Sequence, residues 1–330
     1  MRLTRSSGTI RRRAAWAALL ALLCASLLVP SMARAQANSG ALDLVFPIGA
    51  RATGMGTAFV AEQGSESVWW NPAGLARMTK PEFALDHFDT FLTKGDAPSF
   101  ILPVKPIGVF AISARLFDYG SIEGRDTSDN PLGDFPNRTW VVGATFAADF
   151  GSSFDAGVTY HLYRGEAGNT PAFGTSAVDV GIQFRPVSTM PLRLGLAIRN
   201  VGLSLQVHDK PQADALPTRL HLGASYEPTF AQFPKELTTL FTGEVVSDKS
   251  GDNKEVRLGA QLGYAAGPSR VFVRAGYVKQ QGEGSALLAG PSLGLGLTSG
   301  RVQLDLARIF ESFSSGLGTP PTYISVRVGL

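Results

Sequence analysis

Val256-Arg257-Leu258-Gly259-Ala260-Gln261-Leu262-Gly263-Tyr264 alternates residue by residue. Val256, Leu258, Ala260, Leu262 and Tyr264 form one set, and Arg257, Gly259, Gln261 and Gly263 form the other. Successive strand side chains project to opposite faces, so this run gives a strand with one apolar face and one small or polar face. Leu192–Ile198 repeats the pattern, with Leu192, Leu194, Leu196 and Ile198 set against Arg193, Gly195 and Ala197. From Phe83 to Leu330 fourteen segments read this way, at about 82–92, 98–105, 107–117, 138–149, 152–163, 175–186, 190–200, 216–227, 236–247, 255–265, 269–279, 287–298, 301–310 and 321–330. No convincing helix lies among them.

The connections alternate in length. Short ones fall at Pro106, Gly151, Val187–Thr189, Ala266–Pro268 and Ser299–Gly300. Long ones are Asp118–Asn137, Arg164–Gly174, Val201–Ala215, Asp248–Lys254, Gln280–Ala286 and Glu311–Pro320. Pro228–Lys235 is of medium length where a tight turn is expected. An even number of amphipathic strands joined this way is the signature of an all-β, antiparallel up-and-down barrel of the outer membrane, with the short turns on the periplasmic rim. A soluble sandwich also has period-two strands. Its strands run to about five or six residues, however, whereas these segments match the roughly 9–11 residues of a tilted membrane span.

The barrel assigns sides. Phe110, Ile112, Trp140, Val142, Phe154, Val158, Val178, Ile182, Leu220, Leu222, Val271, Val273, Leu304, Leu306, Val326 and Val328 face lipid. Asp155, His161, Asp179, Arg185, Arg193, Arg199, Arg219, His221, Glu244, Arg257, Arg274, Arg301, Asp305 and Arg327 face the lumen. A charge on the lipid face costs about 2–4 kcal/mol at the midplane, so their common phase is informative. Two readings apply to these lumen charges: a salt-bridge ladder that stiffens the interior, or a selectivity lining. Trp140, Tyr160, Tyr226, Tyr264 and Tyr277 sit near strand ends, where interfacial aromatic girdles form.

The first 35 residues read as a signal peptide: Arg11-Arg12-Arg13, the apolar run Ala14–Val29, and the small-residue site Ala33-Arg34-Ala35. Cleavage after Ala35 or Ala37 fits equally. The run falls short of the roughly 20 residues of a spanning helix. No apolar consensus for the twin-arginine route follows the arginines, so general secretion is expected. This segment holds six of the 30 basic residues and none of the 27 acidic ones. The remainder carries 24 basic against 27 acidic residues, net −3, so the basic balance of the whole chain gives no ground for nucleic-acid binding. The only cysteine, Cys24, lies in the same segment, with Leu23 before it too large for a lipoprotein box. The exported chain then has no disulfide or thiol chemistry.

Residues 36–80 stand outside the strand rhythm, and the wall occupies 81–330. Ala41–Lys80 is crowded with small residues and ends in Trp69-Trp70-Asn71-Pro72-Ala73-Gly74-Leu75-Ala76, where Asn-Pro-Ala-Gly is turn chemistry. Phe59, Trp69, Trp70 and Leu75 are too apolar for a free linker, which points to a segment held in the barrel mouth.

The runs Gly49–Ala61 ("GARATGMGTAFVA") and Trp69–Ala76 ("WWNPAGLA") resemble the N-terminal motif of the PorV/PorQ family, which is related to FadL-type channels for hydrophobic compounds. "VFVRAGY", "GPSLGLGL" and the ending "LDLARIF…GTPPTYISVRVGL" resemble it too, so the likeness spans nearly the whole exported chain. It implies a 14-stranded outer-membrane barrel with an N-terminal plug in the lumen. By position it implies a structural or gating role for Gly54, Met55, Gly56, Trp70, Asn71, Pro72, Ala73 and Gly74, with Asn71-Pro72-Ala73 holding the plug to the wall. The chain departs from the family at Leu306, where an aromatic is usual, and its last residue is Leu330 rather than the aromatic common in barrel-assembly signals.

Enzyme chemistry is not expected. Gly290-Pro291-Ser292-Leu293-Gly294 matches G-x-S-x-G, but that elbow needs a strand-to-helix turn, and Ser292 lies inside an alternating strand. His87, His161, His208 and His221 have no metal spacing, the acidic loop Asp248–Glu255 lacks spaced calcium ligands, and no nucleotide fingerprint occurs. No cofactor or metal is expected. The expected partners are outer-membrane lipid, the barrel-assembly machinery, and either a small hydrophobic molecule or an exported protein. The resemblance thus implies passage of small hydrophobic compounds, or alternatively a docking role in a type IX-like secretion system.

Overall fold

Alternation of apolar and small side chains drives fourteen strands into a single closed antiparallel sheet. The computed structural model describes residues 40–168, 172–186, 190–206, 213–249, 251, 253–281, 289–310 and 320–330. The signal-peptide reading, the loop cores at 282–288 and 311–319, and His208 lie outside the described residues. The strands are β1 (Glu82–Asp89), β2 (Lys94–Val104), β3 (Gly108–Arg125), β4 (Pro131–Phe150), β5 (Phe154–Ala167), β6 (Phe173–Phe184) and β7 (Leu192–Gly202). They continue as β8 (Arg219–Tyr226), β9 (Leu237–Asp248), β10 (Lys254–Ala266), β11 (Ser269–Gln281), β12 (Gly290–Ser299), β13 (Val302–Ile309) and β14 (Thr322–Gly329). Each pairs with its sequence neighbours, and β1 closes on β14 from Glu82–Gly329 to Asp89–Thr322.

The outer face carries the large apolar side chains in the phase that the alternation predicts. Ile112 is 64% exposed, Leu222 58% and Leu295 56%. These values make sense only if that face meets something other than water, because contiguous apolar patches of this extent are rare on soluble monomers. The inner face holds the charged and small residues, and all but a few are buried.

The region Asp118–Asn137, expected as a loop, is instead the upper part of a hairpin. β3 runs on to Arg125 and β4 starts at Pro131. Register shifts after Asp118 and Gly124 mark where this extension leaves the regular wall. Its tip is closed by Asp126, whose carboxylate accepts the backbone N–H groups of Ser128 and Asn130, each at 2.8 Å. Both faces of such an extension meet water, so the period-two signature disappears from its sequence while the backbone ladder persists. Arg301 is a second correction. It is an exposed residue in the turn before β13, at the short-turn rim, and lines no lumen.

Candidate functional site: the occupied lumen

The segment before β1 enters at the long-loop rim, where the Gly40 N–H donates to Ala215 O at 3.0 Å. It leaves at the opposite rim, where Arg77 donates to Gly151 O at 2.8 Å. Between them it forms one helical turn (Ala50–Gly54) and three short 3-10 turns at Leu42–Val45, Ser65–Trp69 and Pro72–Leu75. Leu44, Ile48, Met55, Phe59, Val68, Trp69, Trp70 and Leu75 are all at most 4% exposed, so the segment fills the lumen as a plug.

Glycines of the wall let the plug backbone lie against the strands. A Cβ on Gly181 would stand 1.8 Å from Asn71 Oδ1, one on Gly157 2.5 Å from Pro72 C, and one on Gly195 2.3 Å from Val60 O. On the far side, a Cβ on Gly259 would stand 2.4 Å from Met55 O, one on Gly276 1.8 Å from Gly56 N, and one on Gly294 3.0 Å from the Gly54 Cα. The small face read from the sequence is therefore the docking track of the plug. Gly54, Met55 and Gly56 lie on this track, and the Gly56 N–H donates to Ser292 Oγ at 3.2 Å. Ser292 thus caps the plug from within β12 and sits in no strand-to-helix elbow.

Asn71 joins plug and wall. Its side-chain oxygen accepts the Ala73 N–H at 3.1 Å, fixing the turn at Pro72, while Nδ2 donates to Val60 O at 2.6 Å and to Ile182 O of β6 at 3.2 Å. Gly74 is packed tightly on Ser67, with a hypothetical Cβ 2.4 Å from its Oγ. Trp70 donates from Nε1 to Ile48 O at 3.1 Å, and the guanidinium groups of Arg199 and Arg257 stand over its ring, 5.7 and 5.8 Å from the centroid.

The lumen charges form plug-to-wall networks. On β9, Glu244 Oε2 accepts the consecutive N–H groups of Phe59 and Val60 at 2.8 and 2.9 Å. Its Oε1 lies 2.7 Å from His221 Nδ1 and 3.4 Å from Arg257, which continues to Glu255 at 2.6 Å, itself 2.9 Å from Arg219. Asp179 holds His161 at 3.0 Å, Arg199 at 3.5 Å and the Asn200 N–H at 2.7 Å, where a bulge in β7 sets two residues against one. At the short-turn rim Asp155 binds Arg77 and Arg185, both at 2.9 Å, and Arg193 reaches Gln63, Glu62 and Glu227.

Arg274 and Arg327 hold Asp305 at 2.7 and 2.6 Å. Arg327 also contacts Glu66 of the plug at 3.2 Å and Asp86 of β1 at 3.4 Å, while Trp69 Nε1 donates to Asp86 at 2.9 Å. Burial pushes the Glu66 carboxyl up to about 7, with Arg327 opposing the shift. Burial likewise raises Asp43, whose carboxylate receives the phenols of Tyr119 and Tyr163.

Sequence reading missed Asp86, Arg115, Glu62 and Glu66. Asp86 shares its phase with Ala84 and Phe88, so extending the alternation through β1 finds it. Nothing periodic marks Glu62 and Glu66, which lie outside the strands.

Toward the long-loop rim the lumen turns aromatic. Phe46 of the plug lies 5.1 Å from Phe88 and 5.7 Å from Phe117, and Phe88 lies 6.4 Å from Tyr323. Beside this cluster the wall ladder is interrupted. Pairing of β2 with β3 passes from Asp96–Leu116 to Ser99–Ser113, leaving Ala97 and Pro98 unpaired with Arg115 and Ala114. Behind the gap Arg115, 1% exposed, donates to Leu44 O at 3.2 Å and lies over Trp69 at 5.2 Å. No group of three or more metal-ligating side chains occurs among the described residues.

No protein-family model and no curated protein matches this chain. Solved structures do. The Pseudomonas putida toluene transporter TodX matches over 84% of this chain and 95% of its own, at 12% identity and a TM-score of 0.52. The Ralstonia pickettii toluene transporter TbuX matches over 86% and 98%, at 13% identity and a TM-score of 0.52. A Pseudomonas aeruginosa FadL homologue matches over 86% and 98%, at 10% identity and a TM-score of 0.50. At such identities it is the fold that is shared: like these structures, the chain forms a closed antiparallel barrel, here of 14 strands.

Proposed function

We propose that this protein is a non-enzymatic channel of the bacterial outer membrane that passes small hydrophobic compounds. The observation that carries this reading is the break in the β2–β3 ladder beside the aromatic part of the lumen. A plugged lumen crossed by ion pairs offers an apolar solute no straight path to the short-turn rim. A gap at Ala97–Pro98 offers a sideways one, from the cluster around Phe46 into surrounding lipid. The apolar outer face supports a setting in outer-membrane lipid, reached through a cleaved signal and the barrel-assembly machinery. The fold shared with toluene transporters agrees with this substrate class.

Liposome uptake tests it. The protein accelerates entry of a fatty acid or a monoaromatic hydrocarbon, and a disulfide between Pro98→Cys and Ala114→Cys blocks that entry until it is reduced. Uptake unchanged on adding the protein overturns the reading. Pro98 and Ala114 lie within the interruption, between the paired Asp96–Leu116 and Ser99–Ser113.

A second reading, the PorV/PorQ type, is favoured by the β3–β4 hairpin, which exposes Ile122 at 46% and Leu132 at 58% beyond the regular wall. In that reading the hairpin docks an exported protein of a type IX-like system. Co-purification that depends on Ile122 and Leu132 supports it, and recovery of no exported partner counts against it.

A further inference from the structure

Three carboxylates converge on Arg327 from three elements: Glu66 of the plug at 3.2 Å, Asp86 of β1 at 3.4 Å and Asp305 of β13 at 2.6 Å. The second guanidinium of the cluster, Arg274 of β11, is engaged by Asp305 at 2.7 Å. Arg51, on the plug turn beside Glu66, is engaged by Glu62, and Glu82 faces Arg327 from farther along β1. Two wall cations thus serve three buried acids. Of the three, Glu66 is the least well held. Its Oε1 takes Arg327 and the Ala52 N–H, the latter at 3.3 Å, and its Oε2 has no hydrogen-bond partner among the described residues. A buried carboxylate with one oxygen unpartnered, beside like charges, is where a proton is most easily accommodated. Glu66 is also the only one of the three that leaves the cluster when the plug leaves the wall.

We propose that Glu66 is a proton-dependent latch: its protonated form holds the plug in the lumen, and loss of that proton loosens the plug. The sign follows from linkage. Docked, the carboxyl is pushed up to about 7 by burial; undocked in water it returns to its ordinary value of 4.5. The docked state therefore binds the proton more tightly. The stabilisation is fully present below the undocked value and is lost as pH rises through the docked one. A difference of that size corresponds to a change of up to about 300-fold in the docking equilibrium. Asp43, raised in the same direction at the outer end of the plug, adds to the trend.

Hydrogen exchange on the full chain in a bilayer reads this without reference to any transported solute, so its outcome is separate from that of the channel reading. With intrinsic exchange rates divided out, protection of plug amides such as Phe59 and Val60 falls as pH rises from about 4.5 to 8, while strand amides of the wall hold constant. Glu66→Gln, a permanent mimic of the protonated acid, keeps plug protection high and removes most of the slope, and Asp43→Asn removes the remainder. A slope in Glu66→Gln equal to that of the wild type overturns the proposal. If Glu66→Gln does not assemble, the carboxyl carbon resonance of Glu66 in the wild type decides: titration near 7 supports the latch, and titration near 4.5 overturns it.

Discussion

Asn71 and Gly181 meet so closely that a single methyl group on the glycine would occupy the position of the asparagine oxygen, 1.8 Å away. The wall strand is therefore shaped by what lies inside it, and β6 has no side chain at that point because the plug backbone turns there.

Gly181→Ala consequently forces the turn at Asn71–Ala73 off the wall. Overpacking of this kind costs about 1–3 kcal/mol. Gly243→Ala, whose new Cβ meets nothing nearer than Leu258 at 3.7 Å, is the matched control. Limited proteolysis and thermal unfolding should separate the two: earlier cleavage of the plug and a lower Tm in Gly181→Ala, neither in Gly243→Ala.

Asn71→Asp keeps the shape and the acceptor for the Ala73 N–H but loses both donors, leaving Val60 O and Ile182 O facing a carboxylate. An unsatisfied buried polar group costs about 1–3 kcal/mol. Exchange should rise in the plug around Val60 while the β1–β14 seam stays protected. Unchanged plug protection would mean that the Asn71 bonds carry no weight.

Glu244→Leu strands two backbone N–H groups and leaves His221 and Arg257 without their shared acceptor. Breaking a buried ion pair from one side costs about 3–5 kcal/mol. Glu244→Gln, which keeps an acceptor, should cost less. The ordering of the two variants in denaturant midpoint checks the assignment, and equal midpoints contradict it.

Arg274→Ala and Arg301→Ala remove residues that sequence alone placed together in the lumen. Arg274 is 1% exposed and bound to Asp305, whereas Arg301 is exposed in a turn. Loss of Arg274 should destabilise by about 3–5 kcal/mol. Loss of Arg301 should leave stability within about 0.5 kcal/mol of the parent, as for most surface sites. Thermal melts in one detergent are sufficient to compare them.

Strand number and strand faces were legible because every wall residue answers a local question, lipid or lumen, and the answer alternates along the chain. Leu258 and Arg257 could be assigned to opposite sides without knowing their neighbours. The same logic failed at Arg301, where the phase of Gln303 and Asp305 runs back past the start of β13 at Val302 but the backbone is still in the turn. It failed again at Asp118–Asn137, because a hairpin wetted on both faces has no alternation to read.

The sequence by itself determined a barrel of fourteen strands, its inward and outward residues, and a small-residue segment that belongs to no strand. Only the tertiary structure decided what that segment does inside. Its contacts join residues as distant as Ala50 with Ser325 and Phe59 with Glu244. Such pairings depend on the closed ring of strands bringing them together, and no spacing along the chain encodes them. The glycines show the difference most plainly. Read singly, they are gaps in a polar face, and only the packed lumen shows that those at Gly157, Gly195, Gly259, Gly276 and Gly294 are filled by plug backbone.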